Sequence, residues 1–347
     1  MKAHAIVPAV ADADRLVGWV LCHDVRGPAG TPALRNGEVL DQVRARRLAE
    51  IARGEIHLIE IEPGEIHEDP AGERLAVAVA AEGVRVRDSS GGQWALAAER
   101  RGLLRVDVAA LAAVNGLDGI AVYTLYDGQA VDAGEVVARA KVTPLVIAET
   151  TVREAETLGR RAGGLVEIRA FRPTDVAAVA PASLDSRARV RFEAALVEKL
   201  RWFGSRLVHL AFAEGNPDAL ARAIEAGLGR GAGLVVAVGA SALDPLDPVF
   251  AAVERLGARI VRRGVPGHPG SLLWLAEIMS TPVLGMPSCG MFSQATMFDL
   301  VLPRLLVGDR VGPSELAAFG HGGLLSRELA FRFPPYRAGQ DRGALPE

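Results

Sequence analysis

The chain has 347 residues, half of them hydrophobic and 23% charged, a balance that excludes a disordered or fibrous protein and leaves room for two or three domains. Its 39 basic and 42 acidic residues give a net charge of −3, and the arginines are scattered, so no face is marked for nucleic acid. Two cysteines, Cys22 and Cys289, are too few for a disulfide framework or a cysteine-based zinc site. The start, MKAHAIVPAVADADRLVGWVL, lacks a basic segment leading into a long apolar core, and no apolar run approaches the length of a membrane span. The expectation is a soluble cytoplasmic protein with neither a membrane nor a nucleic-acid partner.

In chain order, residues 1–66 read as a small β-rich module: a strand from Leu16 to Val25, a turn at residues 26–30, a tight turn at Asn36-Gly37, a helix from Asp41 to Arg53 and a strand from Ile56 to Ile61. Residues 67–150 read as an α+β module. Glu68, Asp69 and Pro70 mark a helix start, with the carboxylates where the helix dipole favours them, which explains "EIHED" without a metal. From Ala98 to Glu149 the pattern is strand-like, and Val136 to Val142 alternates as a half-solvated strand does. Residues 151–172 read as a linker opening with a charged helix from Thr151 to Leu158.

Residues 173–311 change to alternation. The expected elements are strands at 176–180, 207–212, 234–238, 259–263 and 283–284, with helices at 190–203, 217–228, 248–256, 271–278 and 295–306. This predicts an α/β domain, a mainly parallel sheet with helices on both faces in three layers, preceded by the smaller β-rich modules. Residues 312–347, rich in Pro and Arg, read as a partly ordered appendage.

Four turns follow strands of this domain: Pro181-Ala-Ser-Leu-Asp185-Ser186, Gly239-Ala-Ser241-Ala-Leu-Asp244-Pro-Leu-Asp247-Pro, Val265-Pro266-Gly267-His268-Pro-Gly-Ser271, and Gly285-Met-Pro287-Ser288-Cys289-Gly290. Strand ends of one parallel sheet converge on a crevice, where glycines allow close backbone approach, serines and helix-start amides receive oxyanions, and aspartates hold a hard cation. The same residues have structural readings: Ser183 or Asp185 caps the next helix, and Asp247 ahead of Pro248 is a good cap in its own right. Cys289, with no paired base in view, reads as a buried small hydrophobe. Gly320-His321-Gly-Gly323 reads either as a backbone nest or as a hinge.

The order of these turns resembles the molybdopterin-binding domain shared by molybdopterin molybdenumtransferases and the adenylyltransferases of molybdenum cofactor assembly. "VGASALDPLDP" is similar to that family's second loop, "VPGHPGSLL" to its third and "PVLGMPSCG" to its fourth, followed by the helix "FDLVLPRLL". Coverage runs over about residues 173–310, and the amino-terminal half is more weakly similar to divergent molybdopterin-binding proteins. The first loop lacks the family's Thr-Gly, Ala240 replaces a glycine, His268 replaces a lysine, and Ser288-Cys289-Gly290 replaces Gly-Asn-Pro.

The resemblance implies binding of molybdopterin, or its adenylylated or metallated form, and, in an active member, metal insertion assisted by Mg²⁺. It assigns Asp244 and Asp247 to catalysis and to Mg²⁺. It assigns Gly239, Ser241, Pro266, Gly267 and His268 to phosphate, Asp185 and Ser186 to the pterin, and Gly285, Pro287 and Ser288 to the closing loop. The alternative it leaves is a non-catalytic carrier or assembly factor serving a molybdoenzyme. Self-association through the strand-rich amino-terminal half is expected, without a defined symmetry.

Overall fold

A computed structural model describes residues 1–27, 30–90, 92–239, 242–292 and 295–336. The chain forms two compact units, one of Met1–Arg100, Arg105–Asp127 and Ala133–Ile168, the other of Arg101–Leu104, Gly128–Asp132 and Arg169 onward.

In the first unit, strands Lys2–Ile6, Ile56–Glu60 and Val20–Leu21 form an antiparallel sheet, backed by the helix Gln42–Ile51. Asp41 caps that helix by accepting from the Arg44 amide, and Leu21, Leu40, Leu48 and Leu58 fill the space beneath. A four-stranded antiparallel sheet follows, in the order Ile120–Thr124, Val136–Val142, Gln93–Ala98, Val84–Ser90. The helix Glu68–Val79 begins where its acidic first turn predicts.

Three expectations for this unit change. The strand expected from Leu16 to Val25 is instead two short strands, Val20–Leu21 and Val25–Arg26, in separate sheets, preceded by the 3₁₀ turn Val10–Leu16. The strand-like region contains the helix Val108–Asn115, started by the Asp107 side chain accepting from the Ala110 amide. The expected linker holds most of the helix Glu149–Ala162 and the strand Val166–Ala170. Its Gly159 packs against the Ala78 carbonyl so closely that a Cβ would lie 2.5 Å from that oxygen. Gly163 is a left-handed helix end.

The second unit is the alternating one. Its elements are β1 (Asp175–Pro181), α1 (Ser186–Trp202), β2 (Arg206–Ala213), α2 (Pro217–Leu228), β3 (Leu234–Val238), α3 (Pro248–Arg255), β4 (Arg259–Arg263), β5 (Trp274–Ile278), β6 (Thr281–Met286), α4 (Met297–Leu306) and α5 (Pro313–Ala318). The sheet order is β2-β1-β3-β6-β5-β4. β2, β1, β3 and β6 run parallel, and β5 and β4 are antiparallel to their neighbours. β3 is buried at all five positions, as a strand covered on both faces must be. Phe192, Leu196 and Leu200 of α1 pack one face together with Phe298 and Val301 of α4. Ile224 of α2 and Val249, Phe250 and Val253 of α3 pack the other. The α/β architecture in three layers is therefore present.

The helix expected over residues 271–278 is instead β5, hairpinned to β6 through Met279 and Ser280. An apolar run of this length is ambiguous between helix and buried strand, and the pairing partner decides it. Trp274 lies across Gly285 of β6, where a Cβ would sit 2.1 Å from the indole Nε1. Residues 312–336 are also no loose appendage: Leu316 of α5, Phe333 and Tyr336 are buried in the α1/α4 core. Among the described residues no helix is long and apolar enough to cross a membrane.

Candidate functional site

The chain crosses from β1 to β2 on one side of the sheet and returns to β3 on the other, so a topological switch point lies between the carboxyl ends of β1 and β3. That is where open α/β sheets hold ligands. A cavity of about 450 Å³ occupies this position. Pro181, Ala182 and Ser183 after β1, Glu214 and Gly215 after β2, Gly239 after β3, and Asp247, Pro248 and Val249 at the start of α3 form its rim. Val179, Ala213, Leu220, Ile224 and Ala237 form its apolar floor and wall.

The local chemistry of each wall follows from the sequence. Asp185 caps α1, accepting from the Ala188 amide at 2.8 Å, and Ser186 is exposed in its first turn. The first loop is held from behind by Arg189, which donates to the carbonyls of Ala182 and Leu184 and stacks on Phe212, 4.5 Å from the ring centre. Asn216 caps α2, accepting from the Ala219 amide at 2.9 Å, with Pro217 at the first helical position. Asp247 caps α3, accepting from the Val249 amide at 3.0 Å. Gly239 needs to be glycine, with φ +79° and Pro181 so near that a Cβ would lie 2.8 Å from its Cγ.

Of the residues assigned from the sequence, Gly239 and Asp247 reach this cavity. Gly239 donates its amide to the Met286 carbonyl at 2.9 Å, so that N–H faces the neighbouring strand. Asp244 is exposed, does not line the cavity, and accepts from the Leu246 amide in a turn of its own. Asp185 and Ser186 stand just beyond the lining, and Ser241 lies outside the described residues.

The third and fourth loops contribute no described lining residue, although Met286 of the fourth receives the Gly239 amide. Pro266, Gly267 and His268 pair with the carboxy-terminal segment: His268 donates its amide to the Gly323 carbonyl and accepts from the Leu325 amide, each at 2.8 Å. A Cβ on Gly323 would lie 2.3 Å from the Pro266 carbonyl, so residues 320–323 form a close backbone seat for this loop. Gly285 is buried under Trp274, Pro287 is buried at the end of β6, and Ser288 is exposed in the short 3₁₀ turn Ser288–Gly290. Cys289 is exposed, contrary to the buried reading.

For Mg²⁺ the described lining offers the Asp247 carboxylate. Mg²⁺ is ordinarily held by one or two carboxylates together with waters and substrate phosphates. The carboxylates of Asp244 and Asp247 each accept a backbone amide, only Asp247 faces the cavity, and no cluster of three or more His, Cys, Asp or Glu side chains forms among the described residues.

Two features escape the sequence reading. The turn after β2, Ala213-Glu214-Gly215-Asn216-Pro217, has the same apolar-run-then-polar-turn signature as the four turns singled out, and its Glu214 is on the rim. The second is a buried polar network. Lys199 of α1, 1% exposed, donates to Asp299 of α4, which is fully buried. Asp299 also accepts from the Tyr336 hydroxyl at 3.0 Å, the Thr296 amide at 2.9 Å and the Thr296 hydroxyl at 3.0 Å. Burial and the neighbouring Asp299 charge hold the Tyr336 phenol well above its ordinary range. The capping box Thr296-x-x-Asp299 is written in adjacent residues, but its buried partner lies 100 positions away.

No protein-family model and no curated protein matches the chain. Among solved structures, it is similar to a molybdopterin biosynthesis MoeA protein from Pyrococcus horikosii at 14% identity, over 70% of this chain and 79% of that one, with a TM-score of 0.30. A molybdenum cofactor biosynthesis protein from Pyrococcus furiosus is 13% identical over 89% of this chain and 65% of that one, TM-score 0.25. The molybdopterin biosynthesis enzyme MoaB from Thermus thermophilus is 16% identical over 40% of this chain and 98% of that one, TM-score 0.28. At these scores the α/β assignment rests on the sheet order of the chain itself, and the similarity to molybdopterin-biosynthesis structures stands as a likeness without functional weight.

Proposed function

We propose that this protein binds molybdopterin, or an intermediate of the molybdenum cofactor, in the cavity at the β1/β3 switch point. The observation that carries the reading is the cavity itself: it is concave, mostly apolar, rimmed by a few convergent polar groups, and placed where α/β sheets take their ligands. The loop order over residues 173–310 supplies the choice of ligand.

One observation favours a carrier or assembly factor over a molybdenumtransferase. Asp244 and Asp247, the residues assigned to metal-assisted turnover, are engaged in an Asx turn and a helix cap, and only one of them faces the cavity. In the carrier reading the protein holds the pterin for a molybdoenzyme or an assembly partner.

Anaerobic calorimetry of molybdopterin with the purified protein, with and without Mg²⁺, tests both parts. The carrier reading expects binding that is insensitive to Mg²⁺ and to Asp244→Ala. Binding that requires Mg²⁺ and is lost in Asp244→Ala would return the transferase reading, and absence of binding would remove molybdopterin altogether.

A further inference from the structure

The charge of the cavity determines which part of a ligand it can take. Among the described residues that line it, none is Lys, Arg or His, whereas Glu214 and Asp247 place two carboxylates on its rim. Three helix starts surround the opening, a geometry that ordinarily receives an anion through free amides. Here the Asp185, Asn216 and Asp247 side chains each engage one of those amides, and Pro217 and Pro248 have no N–H to offer. Arg189 directs its guanidinium to the loop carbonyls and to Phe212. A phosphate entering this space would meet two like charges and, among the described lining residues, no cationic side chain to offset them.

We infer that the cavity takes the flat, neutral heterocycle of the ligand, edge-on to Glu214, and leaves the phosphate outside. This inference rests on the molybdopterin-binding reading above and adds the orientation. A 2-amino-4-oxo pyrimidine edge presents adjacent N–H donors, and a carboxylate accepts two such donors side by side. Glu214 is exposed at the rim, with the Asn216 side-chain amide 3.3 Å from one oxygen, so its carboxylate is placed to accept from a ring entering over Leu220 and Ile224. The aliphatic floor packs the faces of the ring and excludes water, which strengthens the edge contact.

The test uses the full chain and three probes: 6-hydroxymethylpterin, which has the ring and no phosphate; its 2-oxo analogue, which lacks the amino donor; and inorganic phosphate. Fluorescence titration is expected to show binding of the pterin, about tenfold weaker binding of the 2-oxo analogue, and no competition by phosphate. Glu214→Gln is expected to weaken pterin binding by about tenfold while the thermal midpoint of the protein is unchanged. If molybdopterin binds, phosphate competes with it and 6-hydroxymethylpterin does not bind, the orientation is overturned and the molybdopterin reading stands. If neither pterin nor molybdopterin binds, both fall. Equal pterin affinity in wild type and Glu214→Gln removes Glu214 from recognition.

Discussion

Replacing Asp299 by alanine leaves the Lys199 ammonium buried without its counter-ion, and this perturbation measures how much the second unit depends on its polar core. Lys199 is 1% exposed and Asp299 fully buried, so neither charge can turn to water. Breaking one side of such a pair costs about 3–5 kcal/mol. The same substitution strips the Tyr336 hydroxyl and the Thr296 capping box of their acceptor, which adds to the loss. Taking about 4 kcal/mol, the folded-to-unfolded ratio drops about a thousandfold. With a urea dependence of about 2 kcal/mol per molar, the midpoint of the transition followed through Trp202 and Trp274 moves down by about 2 M. Lys199→Met is expected to cost less, because Asp299 keeps three hydrogen bonds from Thr296 and Tyr336. The double replacement Lys199→Met with Asp299→Leu is expected to recover most of the stability, since well-packed apolar side chains equal or exceed a buried ion pair. A loss under about 1 kcal/mol in Asp299→Ala would match an exposed pair and refute the reasoning.

Other expectations follow from the same contacts. Gly285→Ala drives a methyl into the Trp274 indole and should destabilise by about 1–3 kcal/mol in chemical denaturation, unless Trp274 is shortened in the same protein. In the first unit, hydrogen bonds from Arg74 hold the Glu156 and Glu149 carboxyls below their ordinary range. That stability is present above the unfolded glutamate pKa and is lost as pH falls through the depressed folded values, so Arg74→Ala should flatten the acid limb of a stability-against-pH curve. Tyr336 has the opposite sign: its folded pKa is raised, so its contribution is complete below the unfolded tyrosine value and lost as pH rises beyond it, and Tyr336→Phe should flatten the alkaline limb. His268→Ala should change ligand affinity by less than about twofold in calorimetry, because the side chain is exposed on a loop that does not line the cavity.

Local signals make much of the second unit legible. α2 begins at Pro217 because Asn216 caps it and Pro217 suits the first helical position, and β3 ends at Val238 because Gly239 must take a positive φ. These are short-range facts, written in neighbouring residues. β5 reads as a helix from sequence because nothing near Trp274 announces that Gly285, eleven positions on, supplies the flat surface it covers. The carboxy-terminal segment is loose by composition, yet Phe333 is buried with it in the core and Tyr336 anchors it through rings of Trp202 and Phe203, more than a hundred residues earlier. At the site the limit is similar. The sequence marks the strand-end turns, but only the sheet order shows that the turns after β1, β2 and β3 share a cavity to which the third and fourth loops contribute no described lining residue.

Whether the switch-point cavity holds a pterin is read most simply from the amount of pterin carried by the protein when it is produced in cells that make molybdopterin, measured by the fluorescence of the oxidised pterin after release. Ala182 lines the cavity and is only partly buried, so Ala182→Trp blocks the opening while its backbone bond to the Ala213 carbonyl is kept. The expected result is pterin on the wild-type protein and none on a folded Ala182→Trp variant. Equal pterin on both, with both folded by circular dichroism, would contradict binding at the β1/β3 switch point and place the ligand elsewhere.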